Sequence, residues 1–345
     1  MKKQQKTTIK EIAKLAGVSP STVSLVLNGK GEISGATRSR VLEVVSSLNY
    51  APRSSRTRNP EQKIIKFLKL SKHGRTVNRD HSHFISDYID GMSAEAASRG
   101  YNLQVVSSDN AKISDVAELM MVSDATAAIV LGTELSREDV QRIQELRIPV
   151  VFIDTFYDLI DANFVDMNNA EAVHKVLHYL HGLGFTKIGF VGSETETHNF
   201  ELRKRAFLKV MDVLGLSVDH KHVLAIGSTI ASAYEDSVAL IGDDIADAYF
   251  CANDIMAYGF TKALKEKGYR IPDDVSIVGF DNLPMSLTFD PPLTTVDVSK
   301  RKIGSMAVMV LDELLSSDKD LPSTKIQIGA ELVQRASTKP YIVSN

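Results

Sequence analysis

Apolar residues recur along this chain with two different periods, and the change of period divides it. From Thr8 to about Leu48 the spacing is helical: Ile9, Ile12, Ala13 and Ala16 share one stripe, Val23, Val26 and Leu27 a second, and Val41, Val44, Val45 and Leu48 a third. Beyond residue 62, short apolar runs (IIKFLKL, YNLQVVSS, AAIVLG, PVVFID, KIGFVG, HVLAIG, AYFCA and VSIVGFD) alternate with helical patterns at 84–98, 136–146, 169–183, 200–214 and 254–267. Strands that are apolar on both faces need helices on both sides, so this alternation predicts parallel sheets. The stretch is too long for one open sheet, which predicts two lobes with a cleft at the carboxyl ends of their strands.

The first stripe predicts a helix opened by Thr8 and Glu11 at capping-box spacing and closed at Gly17. Ser19 then supplies an N-cap and Pro20 the first position of a second helix, which runs to about Leu27; a third follows from Ser34. Two short helices joined by a tight glycine turn make a shape that fits the major groove of duplex DNA. With Val23, Val26 and Leu27 turned inward, Ser19, Ser21, Thr22, Ser24, Leu25 and Asn28 are left to face the bases. Thr8, Pro20, Ser34, Thr37 and Tyr50 flank them as further candidate DNA contacts.

A plain three-helix bundle would show the same periodicity, and charge separates the two readings. Residues 1–60 carry eleven Lys and Arg against three Asp and Glu, a net charge of +8, inside a chain whose total is −3. The remainder is therefore strongly acidic. Only the head is suited to phosphates, where released counterions drive salt-sensitive binding.

Taken with LNYAP after the third helix, IPVVFID (148–154), LGFTKIGFVGS (183–193), RKRAF (203–207), ANDIMAYG (252–259), IPDDVSIVGFDN (271–282) and PPLTTV (291–296), the helix-turn-helix block resembles the LacI/GalR family of bacterial transcription regulators. The resemblance covers nearly the whole chain. It implies an all-α helix-turn-helix headpiece (1–52), a hinge (53–61) and a two-lobed α/β core (62–345) like the periplasmic binding proteins, with two parallel doubly wound sheets. By the family's pattern, one lobe takes about 62–161 and 291–320, and the other about 163–290 and 321–345. The partners implied are double-stranded operator DNA, a sugar or sugar-derived effector, and a second copy of the chain, as a homodimer or a tetramer; no cofactor is implied.

Strand ends in the core carry groups that can pair with hydroxyls: Asp154 after VVFID, Asn253 and Asp254 after AYFCA, Asp281 after VSIVGF, with Arg203 on a following helix. In the proteins this chain is similar to, residues at the positions of Asp154, Arg203, Asn253 and Asp281 contact the effector. A cap or turn role is the alternative for each, most of all for Asp254, which could cap the helix it begins. The loop SKHGRTVNRDHSH before Phe84 is longer than the family's usual turn and holds Lys72, His73, Arg75, Arg79, His81 and His83. Phe84 keeps the aromatic role of stacking on a sugar face. The cations, His73 and Arg79 among them, point either to an anionic ligand such as a sugar phosphate or sugar acid, or to a solvated surface loop.

Two departures touch DNA. Family members commonly place arginine after the TVS of the recognition helix, whereas this chain has Leu25, suited to a thymine methyl rather than to guanine. Relatives also carry a minor-groove leucine in the hinge, but Asn59 occupies that position here and Pro60 biases it away from helix. Arg53, Arg56 and Arg58 remain as an arm that reads a narrow A·T-rich minor groove or merely touches phosphates.

Other signals are weaker. A single cysteine, Cys251, excludes disulfides within the chain and suits a reducing cytoplasm, and no apolar run reaches membrane-spanning length. His174, His178 and His181 share one helical face opposite the Val173, Val176, Leu177, Leu180 stripe, which favours a solvated or dimer-contact face over a metal site. A free sugar receptor would have no use for the basic head. A doubly wound enzyme would need a nucleophile and base that the strand ends do not supply, and no G-x-G-x-x-G follows the first strand.

Overall fold

The computed structural model describes residues 9–27, 33–47, 63–76, 79–109, 112, 116, 119, 125–146 and 148–339. The chain separates into two compact units, Met1–Gln62 and Lys63–Asn345.

In the first unit, α1 (Ile9–Ala16), α2 (Pro20–Leu27) and α3 (Gly35–Ser47) pack around Ile12, Ala13, Ala16, Val23, Val26 and Val41. Gly17 ends α1 with φ +64°, a conformation that lets the Val18 N–H return to the Ala13 carbonyl at 3.0 Å. The Ser19 hydroxyl accepts from the Thr22 N–H at 3.0 Å, and Ser34 repeats the arrangement with Thr37 at 3.3 Å.

The second unit holds two six-stranded sheets. In the first, β1 (Lys63–Ser71), β2 (Tyr101–Asp109), β3 (Ala125–Leu131), β4 (Val150–Ile153), β5 (Asn163–Met167) and β11 (Lys325–Ile328) lie in the order β11-β5-β4-β3-β1-β2, all parallel. In the second, β6 (Ile188–Ser193), β7 (Val223–Ile226), β8 (Ala248–Cys251), β9 (Ser276–Phe280), β10 (Thr294–Val298) and β12 (Ala330–Val333) lie in the order β12-β10-β9-β8-β6-β7. Only β12 runs antiparallel to its neighbour. The helices that cover them are α4 (Ser82–Ser98), α5 (Arg137–Gln144), α6 (Asn169–Gly182), α7 (His198–Val213), α8 (Ile230–Leu240), α9 (Asp254–Glu266) and α10 (Lys300–Ser316). Phe190, Phe207, Phe250 and Phe280 are fully buried across the second sheet, each worth about 1.5–3 kcal/mol of transfer free energy.

The lobe boundaries expected from the family pattern need correction by one strand. Strand β5 stays in the first sheet, β10 in the second, and β11 returns to the first. The chain therefore changes lobe at Asn168, Ser299 and Gly329, each time after a strand has been hydrogen-bonded into its sheet, because leaving earlier would strip those strands of partners.

Two glycines bring α4 and α10 into backbone contact. A Cβ on Gly91 would lie 2.0 Å from the Arg301 carbonyl oxygen, and one on Gly304 would lie 2.3 Å from that of Tyr88. This crossing holds Phe84 and Tyr88, on α4, in register with Lys300 at the start of α10. Gly304→Ala is expected to lower stability by about 1–3 kcal/mol in chemical denaturation, as overpacking does. Gly182→Ala, in open space at the end of α6, should leave stability unchanged or slightly raised.

Candidate functional site

Ser19 and Ser21 are exposed at the start of α2, Thr22 is half-buried and Leu25 is 41% exposed, while Val23 and Val26 point into the three-helix core. The Ser19 hydroxyl bonds those of Ser21 and Thr22 at 2.7 and 2.8 Å, so its lone pairs are shared within the turn rather than aimed freely outward. Pro20 is exposed at the first position of the helix. Thr8, Asn28, Tyr50, Arg53, Arg56 and Arg58, the Ser24 side chain, and the hinge residues Asn59 and Pro60 lie outside the described residues.

In the second unit, five of the seven expected ligand residues, Phe84, Asp154, Arg203, Asn253 and Asp281, line one small cavity at the carboxyl ends of both sheets. Its volume is ≈40 Å3, well below the roughly 300–1,000 Å3 of ordinary ligand pockets. The walls are drawn together by contacts across the cleft. The Asp154 carboxylate accepts from Tyr88 at 3.1 Å, from Thr133, and from Asn199 of the opposite lobe at 3.2 Å. Arg203 lies flat on the Phe280 ring, 3.7 Å from its centroid, and donates to the Asn169 side chain, the Ala252 carbonyl and the Met167 sulfur. Asp154 (φ 58°), Asp281 (φ 106°) and Asn282 (φ 47°) adopt left-handed backbone conformations at the strand ends, strain that non-glycine residues tolerate where their surroundings impose it.

Two buried atoms here lack partners. Asp281 Oδ1 makes no hydrogen bond and sits 3.9 Å from the Arg203 guanidinium, and Asn253 Nδ2 is likewise unpaired because its Oδ1 caps α9 by accepting from the Met256 N–H at 2.8 Å. The capping role considered for Asp254 thus falls to Asn253. Asp254 instead accepts from the Thr295 hydroxyl at 2.6 Å and the Leu283 N–H at 2.7 Å. Sequence reasoning missed Asp166, one residue before the end of β5, whose fully buried carboxyl makes no well-formed hydrogen bond. The signal available was a lone carboxylate inside an apolar run, NFVDM.

Burial dominates the proton affinities. It pushes Asp281 up to about 7 against the opposing pull of Arg203 and Lys300, and Asp254 up to about 8 with the Asp281 charge adding to it. Asp166 is driven well above the ordinary carboxylate range by burial and then by the Asp154 charge beside it.

Three of the basic side chains of the β1–α4 loop, Lys72, His73 and Arg75, are engaged with acidic side chains. Lys72 pairs with Asp139 at 2.6 Å, His73 with Glu134 at 3.3 Å, and Arg75 with Glu194 of the other lobe at 3.3 Å. Glu134 Oε2 collects the backbone N–H groups of Lys72, His73 and Gly74, so the loop is wound around a carboxylate. His73 faces a larger groove described below, and the described part of Arg79 is backbone, in the turn Arg79–His81. His81 is buried in the cavity wall, with Nε2 3.3 Å from the Ser228 carbonyl oxygen.

Residues 8–53 match the family described as bacterial regulatory proteins, lacI family, and residues 177–338 match the periplasmic binding protein-like domain. A transcriptional repressor, PurR of Mannheimia succiniciproducens, is 30% identical over 336 residues, spanning 96% of this chain and 98% of the relative. PurR of Pasteurella multocida is 29% identical over the same shares of the two chains. The chain belongs to the LacI family of bacterial regulatory proteins. Among solved structures, the lac repressor dimer bound to operator and the anti-inducer ONPF superposes with a TM-score of 0.72 at 22% identity, covering 97% of this chain and 99% of that one. A complex of the transcriptional regulator CelR with cellobiose does so at 0.71 and 20%, covering 96% and 99%. These structures establish the shared fold.

Asp254 gives a test of the buried charge. Its proton is held more tightly in the folded than in the unfolded chain, so its stabilising contribution is present below about pH 4, the unfolded value, and is lost as pH rises through about 8. Thermal unfolding from pH 5 to 9 should therefore show the parent losing stability relative to Asp254→Asn. A constant difference between the two would contradict the buried, protonated state.

Proposed function

We propose that the protein is a ligand-responsive transcriptional repressor, whose head docks on operator DNA as a homodimer and whose cleft binds a hydroxyl-rich effector such as a sugar. The observation that carries the ligand half is the pair of buried atoms without a hydrogen bond, Asp281 Oδ1 and Asn253 Nδ2. One requires a donor and the other an acceptor, and a hydroxyl offers both. With Asp154, Asp166 and Asp281 around one guanidinium, the inner cavity favours a neutral moiety that donates hydrogen bonds over an anion. CelR, whose fold this chain shares, forms a complex with cellobiose, which supports a sugar as the class of ligand.

The mechanism follows from the closed geometry. Asp154 already binds Asn199 across the lobes, and the ≈40 Å3 cavity holds no sugar, so the effector must part the lobes and replace that contact with its own hydroxyls. The Arg75–Glu194 pair and the Asp80 contact with the Ile230 N–H at 3.3 Å span the same gap and would break with it. A ligand that binds the open form better shifts the population toward it, and a dimer transmits the shift as a change in the spacing of its heads. Operator half-sites are read by α2, with exposed Leu25 favouring A·T where arginine would favour guanine. Arg53, Arg56 and Arg58 act on the minor groove or the phosphates.

Calorimetric titration of the full chain with neutral mono- and disaccharides tests the cleft. The sugar that binds should lose at least tenfold in affinity with Asp281→Asn, since one charged hydrogen bond is worth about 1.5–3 kcal/mol. Unchanged affinity in the variant places the sugar elsewhere. For the head, selection from random duplexes should return A·T opposite Leu25, and an invariant guanine there would contradict the assignment.

A further inference from the structure

Beside the inner cavity, and sharing Thr133, Thr197 and Phe200 with it, a solvent-open groove of ≈940 Å3 runs between the lobes. One wall is the first turns of α7. Its N-cap, Thr197, makes no side-chain capping bond, so the N–H groups that open this sixteen-residue helix have no side-chain acceptor and carry the positive end of its dipole. Thr195 lines the same wall. It is 7% exposed, and its hydroxyl has no partner.

Charge in the groove is uneven. Arg137, Lys204 and Arg205 line it and make no ion pair among the described residues; Arg137 only overlies the Tyr157 ring, 5.3 Å from its centroid. Burial lowers the proton affinity of His198, the first residue of α7, and the charge of Arg205 adds a smaller push in the same direction. Of the acidic groups present, Glu194 is paired with Arg75 and Glu134 is enclosed by the 72–76 loop. Glu196 and Glu201 remain as opposing charges, Glu201 beside a His198 whose proton affinity is lowered, against the three cations. An unpaired hydroxyl buried in the wall, an uncapped helix start and three cations along the same groove are the complement of a phosphate or carboxylate.

We infer that this groove is an anion subsite at the start of α7, formed by the Thr195 hydroxyl, Arg137, Lys204 and Arg205, and that it takes the phosphate or carboxylate end of an effector whose hydroxyl-rich part enters the inner cavity. The inference rests on reading the cleft as the effector site and assigns the ligand's charge to residues other than the loop cations. Tyr157 and His198, stacked across the lobes at 4.1 Å, stand at the junction and separate when the lobes do.

Equilibrium dialysis of the full chain against radiolabelled orthophosphate tests the subsite without knowledge of the effector. The basic head contributes equally in parent and variants, so the readout is the difference between them. The parent is expected to hold one more phosphate per chain than Lys204→Ala/Arg205→Ala, whose altered side chains are exposed and leave the fold intact. Thr195→Val, close in volume, should weaken that extra phosphate severalfold, and Asp281→Asn should retain it. Equal stoichiometry in parent and double variant overturns the subsite, as does loss of the extra phosphate in Asp281→Asn but not in Thr195→Val. Acetate as competitor separates the two ligand ends: displacement at concentrations similar to phosphate assigns a carboxylate, and resistance assigns a phosphate. Failure of the subsite leaves the sugar titration of Asp281→Asn standing on its own, so the two readings fall separately.

Discussion

The structure turns on an excess of buried carboxyl groups at one point between two sheets. Asp154, Asp166, Asp281 and Asp254 converge where the strands end, and Arg203 is the guanidinium among them. Withdrawing a charge from water costs several kcal/mol unless it is paired, so these groups are held by borrowed partners: hydroxyls from Tyr88, Thr133 and Thr295, amides from Asn199 and Leu283, and protons retained above their ordinary range. Asp281 Oδ1 and both Asp166 oxygens still lack well-formed bonds. A fold that leaves such atoms unsatisfied is less stable than one that pairs them, and a ligand that pairs them gains what the protein forgoes.

Closure and regulation follow from the same constraint. Asn199 reaches Asp154 from the other lobe, so part of the demand of the buried carboxylate is met by a contact across the cleft. Lys300 carries the effect onward: it donates to the Asp281 carbonyl at 2.7 Å and begins α10, which packs on α4 through the Gly91 and Gly304 contacts. The strand ends are thereby tied to two helices held backbone to backbone, a contact with little room to deform.

Much of this was legible in the residues. Most strands legible as apolar runs are doubly covered, as β3, β4, β8 and β9 are, because a strand buried on both faces has no polar positions to blur it; the edge strands β2 and β7 are legible despite partial exposure. The helices at 84–98, 169–183 and 254–267 fall within a residue or two of Ser82–Ser98, Asn169–Gly182 and Asp254–Glu266. Strands β5, β10, β11 and β12 went unread: each is four or five residues long and carries residues such as Asp166, Asp297, Lys325 and Glu331 that break the apolar pattern. These are the strands beside the lobe crossings, so the crossings were misplaced with them. Helix α8, opened by the Thr229 and Ser232 capping box, was also missed. In the cleft, Asp154, Arg203, Asn253 and Asp281 stood out as polar groups closing apolar runs, whereas the neutralisation of Lys72, His73 and Arg75 depends on Asp139, Glu134 and Glu194, more than fifty residues away. Composition marks a loop as basic; only folding shows which charges are already answered.

The central claim is that one small molecule in the cleft and one duplex under the head act on the same equilibrium. Linkage requires the coupling to be reciprocal. The most direct measurement is the affinity of the cognate ligand for the free full chain and for the chain saturated with operator, set beside operator affinity with and without that ligand at fixed salt. The account predicts that the two ratios are equal and differ from one by about tenfold or more, as coupling free energies of 1–3 kcal/mol imply. A ligand that binds the free and operator-bound chain equally well would contradict it.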